Sequence, residues 1–208
     1  MALTNYADLK TSIASWLKRS DLVSNIPDFI NMAESYMNDD LRLRSMITEA
    51  TITPSQVNKY VDLPEGFIEA INFLDEDGNP LQQIHHDQLN ELYYNDANTP
   101  EYYSVTSRIN FECVASSALS YTMTYYKGLD LATDSTNEVM TKYPNLYLYG
   151  SLIQAEPFLK NDKRMGTWAT MYDRAMKKAN NRNADSLVKL RTTHPSSNRG
   201  RFNIQRGW

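Results

Sequence analysis

The sequence predicts an α+β fold: a helical bundle formed by N- and C-terminal helices, an inserted antiparallel β module, and an extended C-terminal tail. Three observations carry this expectation. Apolar residues recur at spacings of three and four over the first 46 residues and again after residue 143. Between Thr48 and Tyr126 the period is two, broken by turn residues. The last stretch loses both periods and becomes strongly basic.

The first helix is read from Tyr6, Leu9, Ile13, Trp16 and Leu17, with Thr4 or Asn5 as N-cap and an end near Ser20. A second begins at Pro27, where a missing N–H costs nothing, and buries Phe29, Ile30, Ala33, Tyr36, Met37 and Leu41. Asp28 and Glu34 favour its N-terminal part, while Arg42 and Arg44 are placed in its last turn, against the negative end of the dipole. Strands follow over 48–53, 59–63 and 67–74, and Asp77-Gly78 with Asn79-Pro80 is a turn that returns the chain at Leu81 to Ile84. A short helix over Asp87 to Tyr94 precedes strands at 101–105, 108–114 and 119–126; the last alternates as a half-buried antiparallel strand does. Helical period returns at Pro144, and Pro157 must kink or end that helix. The strongest pattern is Met165, Trp168, Ala169, Tyr172, Ala175, Met176 and Ala179, an amphipathic packing helix that fades after Ala184. Residues 1 to 46 and 138 to 186 are therefore expected to form one helical body, 47 to 137 the β module, and 187 to 208 an extended basic docking tail.

Charge divides the chain in the same way. Residues 160 to 208 hold twelve Lys or Arg against Asp162, Asp173 and Asp185, or +9. The first 159 residues keep nine Lys or Arg and 22 acids, which leaves −13. An acidic body with a basic end points to an end that reaches another surface, either an acidic protein or nucleic acid. The docking residues singled out on this basis are Lys189, Arg191, Arg199, Arg201 and Arg206, with Phe202, Ile204 and Trp208 as apolar anchors. Fourteen tyrosines lean the same way, since a ring with one dry and one wet end suits subunit contacts.

Catalytic chemistry finds no foothold, and neither a cofactor nor a metal is implied. His85-His86 point to different sides of any element and lack a third ligand. Asp75 to Asn79 resembles the start of a calcium loop, but Pro80 and His86 stand where Gly and Glu are needed, so a solvated turn is expected. No Gly-x-Ser-x-Gly, phosphate-binding glycine loop or dinucleotide fingerprint occurs, and Asp39-Asp40 read as exposed helix charges. The single Cys113 is expected to be a small apolar residue in a strand. No window approaches the roughly 20 apolar residues that span a bilayer, so a soluble compartment is expected.

The pattern as a whole resembles one family. Tyr6-Ala7-Asp8-Leu9-Lys10, then Ile26-Pro27-Asp28-Phe29-Ile30 with Ala33-Glu34 and Leu41-Arg42-Leu43-Arg44-Ser45-Met46, is similar to the opening of tailed-phage head-to-tail adaptor (connector) proteins of the short-tailed type. So is Leu63-Pro64-Glu65-Gly66-Phe67-Ile68-Glu69 with Asn79-Pro80-Leu81 after it. Most specific is Tyr143-Pro144-Asn145-Leu146-Tyr147-Leu148-Tyr149-Gly150, running on to Ala155-Glu156-Pro157-Phe158 and Trp168. The resemblance covers about residues 6 to 180. It implies a structural virion protein, assembled in the host cytoplasm, that forms a ring of twelve copies between the portal protein and the tail nozzle protein. It also implies that genomic DNA passes through the lumen without sequence-specific binding, that the C-terminal segment reaches the portal, and that no residue is catalytic. The alternative left by charge alone is a nucleic-acid-binding protein that uses the same basic tail.

Overall fold

The computed structural model of this chain describes residues 3–92, 96–159 and 163–192, with 184–192 as backbone only. Helix α1 (Tyr6–Leu17) starts on Asn5, whose side-chain oxygen accepts from Asp8 N at 2.9 Å. It stops short of Ser20 because Lys18 turns left-handed at φ 54° and returns its N–H to Ala14 O. After a 3-10 turn at Val23–Asn25, α2 (Ile26–Asp40) buries Phe29, Ile30, Ala33, Glu34 and Met37. The chain leaves α2 at Leu41 in an extended conformation, so Arg42 and Arg44 lie beyond the helix rather than in its last turn. Arg42 still serves the helix end, because its Nη1 donates to Asn38 O at 2.7 Å. Tyr36, expected on the buried stripe, is exposed.

The β module contains β1 (Ile47–Ile52), β2 (Tyr60–Asp62), β3 (Phe67–Leu74), β4 (Gln82–Gln83), then helix α3 (His86–Glu91), β5 (Tyr102–Val105), β6 (Arg108–Phe111) and β7 (Tyr121–Lys127). They form a three-stranded antiparallel sheet in the order β1-β7-β3 and a four-stranded sheet in the order β2-β6-β5-β4. One pair departs from the antiparallel expectation: β4 runs parallel to β5. The Asp75–Asn79 turn returns the chain along β3 only as far as Leu81, whose N donates to Phe73 O at 2.8 Å; Gln82 N then donates to Glu101 O and carries it to the other sheet. Between the sheets lie Ile52, Phe73, Tyr103, Ile109, Phe111, Tyr121, Met123 and Tyr125.

Past β7 come two short helices that periodicity does not show, α4 (Leu131–Asp134) and α5 (Glu138–Lys142), of four and five residues. Each is started by a side chain, Asp130 accepting from Thr133 N and Asn137 from Met140 N. Helix α6 (Pro144–Gln154) breaks at Ala155 and resumes as α7 (Glu156–Leu159), which places the interruption just ahead of Pro157. Helix α8 (Met165–Thr192) is 28 residues long, about 42 Å at 1.5 Å per residue. It continues beyond Ala184, where the apolar period fades. The helical core joins Leu9, Ile13, Phe29, Ile30, Leu146, Tyr147, Leu152 and Trp168 with Leu129 and Leu131. Gly150 marks its tightest point: an added Cβ would stand 3.2 Å from Ala33 Cβ and 3.2 Å from Tyr172 Cε2, so three helices approach there.

Candidate docking surfaces

Helix α8 holds six of the twelve basic residues of 160–208, and its seat on the body decides what it can offer. Trp168 and Ala179 are buried, with Met165, Tyr172, Ala175 and Met176 packed against the helical core. The last contact among the described side chains is at Asn183. Its Nδ2 donates to Arg42 O at 2.9 Å and its Oδ1 accepts from Arg44 N at 3.1 Å, which clasps the extended segment after α2. At the other end Arg164 lies 5.0 Å from the Trp168 ring centre and donates to Trp16 O. These contacts span 19 of its 28 residues, from Met165 to Asn183, and the helical backbone continues past them to Thr192.

Of the docking residues read from the sequence, Lys189 and Arg191 fall in the final turns of α8, where only backbone is described. Arg199, Arg201, Phe202, Ile204, Arg206 and Trp208 lie outside the described residues. Arg44, read from the sequence only as a helix-end cation, and Lys142, not singled out there, line an open groove of about 410 Å³ with Arg182 beside Leu43, Tyr143 and Asn183. Its one acid, Glu138, is already bonded to Lys142 at 2.6 Å. The available signal was the basic pair Arg42 and Arg44 next to Asn183, which only the long-range fold brings together.

A second polar cluster joins the helical body to the β module. Asn38 grips the chain after β7 in both directions, accepting from Leu129 N at 2.7 Å and donating to Leu129 O at 3.2 Å. One turn earlier Glu34, only 4% exposed, accepts from Leu131 N at 2.8 Å. The Tyr147 hydroxyl also donates to Glu34 and accepts from Asn137 Nδ2 at 2.8 Å. Burial pushes the Glu34 carboxyl up to about 7, against the opposing effect of the Leu131 N–H. Arg42 completes the joint: its Nε donates to Glu69 Oε2 on β3 at 2.9 Å, and its guanidinium lies 5.9 Å from the Tyr126 ring centre.

The side chains with potential for catalysis or metal binding take the following places. His85 caps α3, His86 Nδ1 meets Ser104 Oγ at 3.1 Å, and Asp75 Oδ1 accepts from Asp77 N and Asn79 N as a turn carboxylate does. Asp39 and Asp40 are exposed. Cys113 is buried two residues past β6 rather than within a strand, and burial raises its thiol to about 11. Among the described residues no three His, Cys, Asp or Glu could hold a metal ion, and no helix is long and apolar enough to cross a membrane.

Fold and surfaces together define a structural interaction protein: a helical body with a β appendage and a long basic helix. Residues 4–198, nearly the whole chain, match the family described as SU10 adaptor protein. The chain belongs to this family of phage head-to-tail adaptors, structural components of the virion that act with portal and tail parts. No curated protein matches the sequence.

Proposed function

We propose that the protein forms a ring of twelve copies between the portal protein and the tail nozzle protein, assembled in the host cytoplasm and acting without catalysis. The ring holds the tail on the head, and genomic DNA leaves through its lumen. The basic end, from Lys189 and Arg191 to the Phe202, Ile204 and Trp208 anchors, is the part that docks on the portal. The observation that carries this reading is the length of α8 past its Asn183 clasp, which would present the basic end away from the body. Family membership and the −13 body support it, since acidic walls would let DNA pass without trapping its phosphates. Many weak contacts around a ring become strong together, because later ones form at high local concentration.

The test is a chain lacking residues 187–208. Far-UV circular dichroism and thermal melting stay near those of the full chain, and co-sedimentation with portal rings is lost. Full portal binding by the shortened chain would refute the reading. Tight, salt-sensitive binding of the full chain to duplex DNA, lost in the same truncation, would instead support a nucleic-acid-binding protein.

A further inference from the structure

We infer that the outward face of α8, with Arg174, Lys177, Lys178 and Arg182, docks on the acidic side of a second copy of this chain, along the groove between α2 and residues 129–132. This rests on the ring reading and supplies its subunit contact.

The four side chains are exposed and share one face of the helix, opposite the Trp168, Tyr172, Met176 and Ala179 stripe that packs on the body. Arg174, Lys178 and Arg182 follow one another at four-residue intervals, about 6 Å apart along the axis. Like charges at that spacing repel and weaken an isolated helix, an effect that an acidic partner reverses. None of the four has an ion pair among the described residues; the nearby Asp173 sits on the flank of the face. Arg182 extends the patch into the groove with Arg44 and Lys142.

The same molecule carries the complement. An open groove of about 430 Å³ holds the exposed acids Asp39 and Asp130 in its lining, with Ser35 and Asn38 beside them and no Lys or Arg; Glu34 lies at its floor, buried against Leu131 N. These two surfaces cannot meet within one subunit. Asn38 and Asp40 lie two residues apart on α2 and so point to nearly opposite sides of it. Asn38 holds Leu129 at the acidic groove, whereas Ala33, seven residues before Asp40 and on its side of α2, meets α8 through the close approach of Gly150 and Tyr172. Two different, complementary faces on opposite sides of one subunit make a head-to-tail contact, the kind that closes into rings. Nucleic acid is the less favoured occupant, because the 159-residue body beside the helix carries −13.

The experiment compares wild type with two exposed-surface variants, R174E/K177E/K178E/R182E and S35K/D39K, with circular dichroism to confirm folding. Mass photometry and cross-linking are applied to each alone at low ionic strength and on portal rings. Each variant alone loses subunit association by about ten-fold or more, and an equimolar mixture restores multimers in which the two alternate. Wild-type association weakens likewise on going from low salt to about 0.5 M. A K178C/D39C chain forms a disulfide ladder beyond the dimer on oxidation, which neither single cysteine variant does. If wild type forms no multimer in either setting, the ring reading fails and takes this inference with it. If wild-type multimers form and both reversed variants keep them, only this inference is overturned. Loss of portal or duplex DNA binding with subunit contacts intact assigns the α8 face to that partner and overturns it as well.

Discussion

Glu34 shows how much a single residue depends on its surroundings. At its position in the chain it resembles an acid placed for the positive end of a helix dipole, yet it is the ninth residue of α2 and lies in the core. Its partner, Leu131 N, is 97 residues away, so no local pattern reveals the burial. The consequence is a pH dependence. A carboxyl raised from the ordinary range to about 7 favours the folded state while protonated, so its contribution is present below about pH 4.5 and lost as pH rises through 7. The ceiling is about 3 kcal/mol, before relaxation reduces it. Glu34→Gln keeps an acceptor for Leu131 N and removes the titration. Urea midpoints of wild type should fall between pH 5 and 8, and those of the variant should stay level and exceed wild type at pH 8. Cys113 was more legible: one cysteine without a base or second thiol reads as apolar filling, and its buried, raised thiol agrees. It should resist a thiol reagent in the native protein at pH 8 and react on unfolding; rapid native labelling would contradict the burial.

Among the elements, long periodic segments were readable and their pairing was not. Alternation located β7 well, because it keeps one face against the core between the sheets, and β3 is marked by its apolar β-branched and aromatic run. It could not show that β7 is the central strand of its sheet or that β4 pairs in parallel with β5, since those choices are made by contacts distant in sequence. Strand β3 also shifts register at Phe67/Glu69 and Ala70/Asn72. As neighbours on a strand, Phe67 and Ile68 face opposite ways: Phe67 stacks on Tyr125 and Ile68 packs on the helical core, so one strand serves both hydrophobic clusters. Phe73, next along, meets Tyr103, Tyr121 and Phe111 with ring centres at 5.1, 5.8 and 6.1 Å. Phe73→Ala should cost about 3–5 kcal/mol in denaturant unfolding, because the aromatic cage cannot collapse on the space. In the helical body the matching position is Gly150. Its replacement by Val puts a branched side chain where even a Cβ is tight against Ala33 and Tyr172, and should cost roughly 1–3 kcal/mol. Helices α4 and α5 escaped notice because four or five residues carry no measurable period.

For the whole molecule, the charge division between body and C-terminal end was readable from composition alone, but the way one is attached to the other was not. Beyond the apolar stripe, attachment uses Asn183, a residue with no chemical signature in the sequence, which joins α8 to the segment between α2 and β1 through two backbone groups. That segment also carries Arg42, which ties α2 to β3 through Glu69. The direction of α8 is thus set at the place where helical body and β module meet. Asn183→Ala removes both bonds and leaves the apolar stripe from Trp168 to Ala179 in place. Global stability should fall by about 1–2 kcal/mol, because the freed Arg42 carbonyl and Arg44 N–H are near water. Local opening should respond more: amide exchange over residues 180–192 should quicken while that of 165–176 stays close to wild type. If a ring docks through these helices, a small loss of alignment in each subunit repeats around it, so portal binding should weaken by more than the stability change accounts for. Equal protection of residues 180–192 in both proteins would mean that α8 is oriented by its apolar stripe alone.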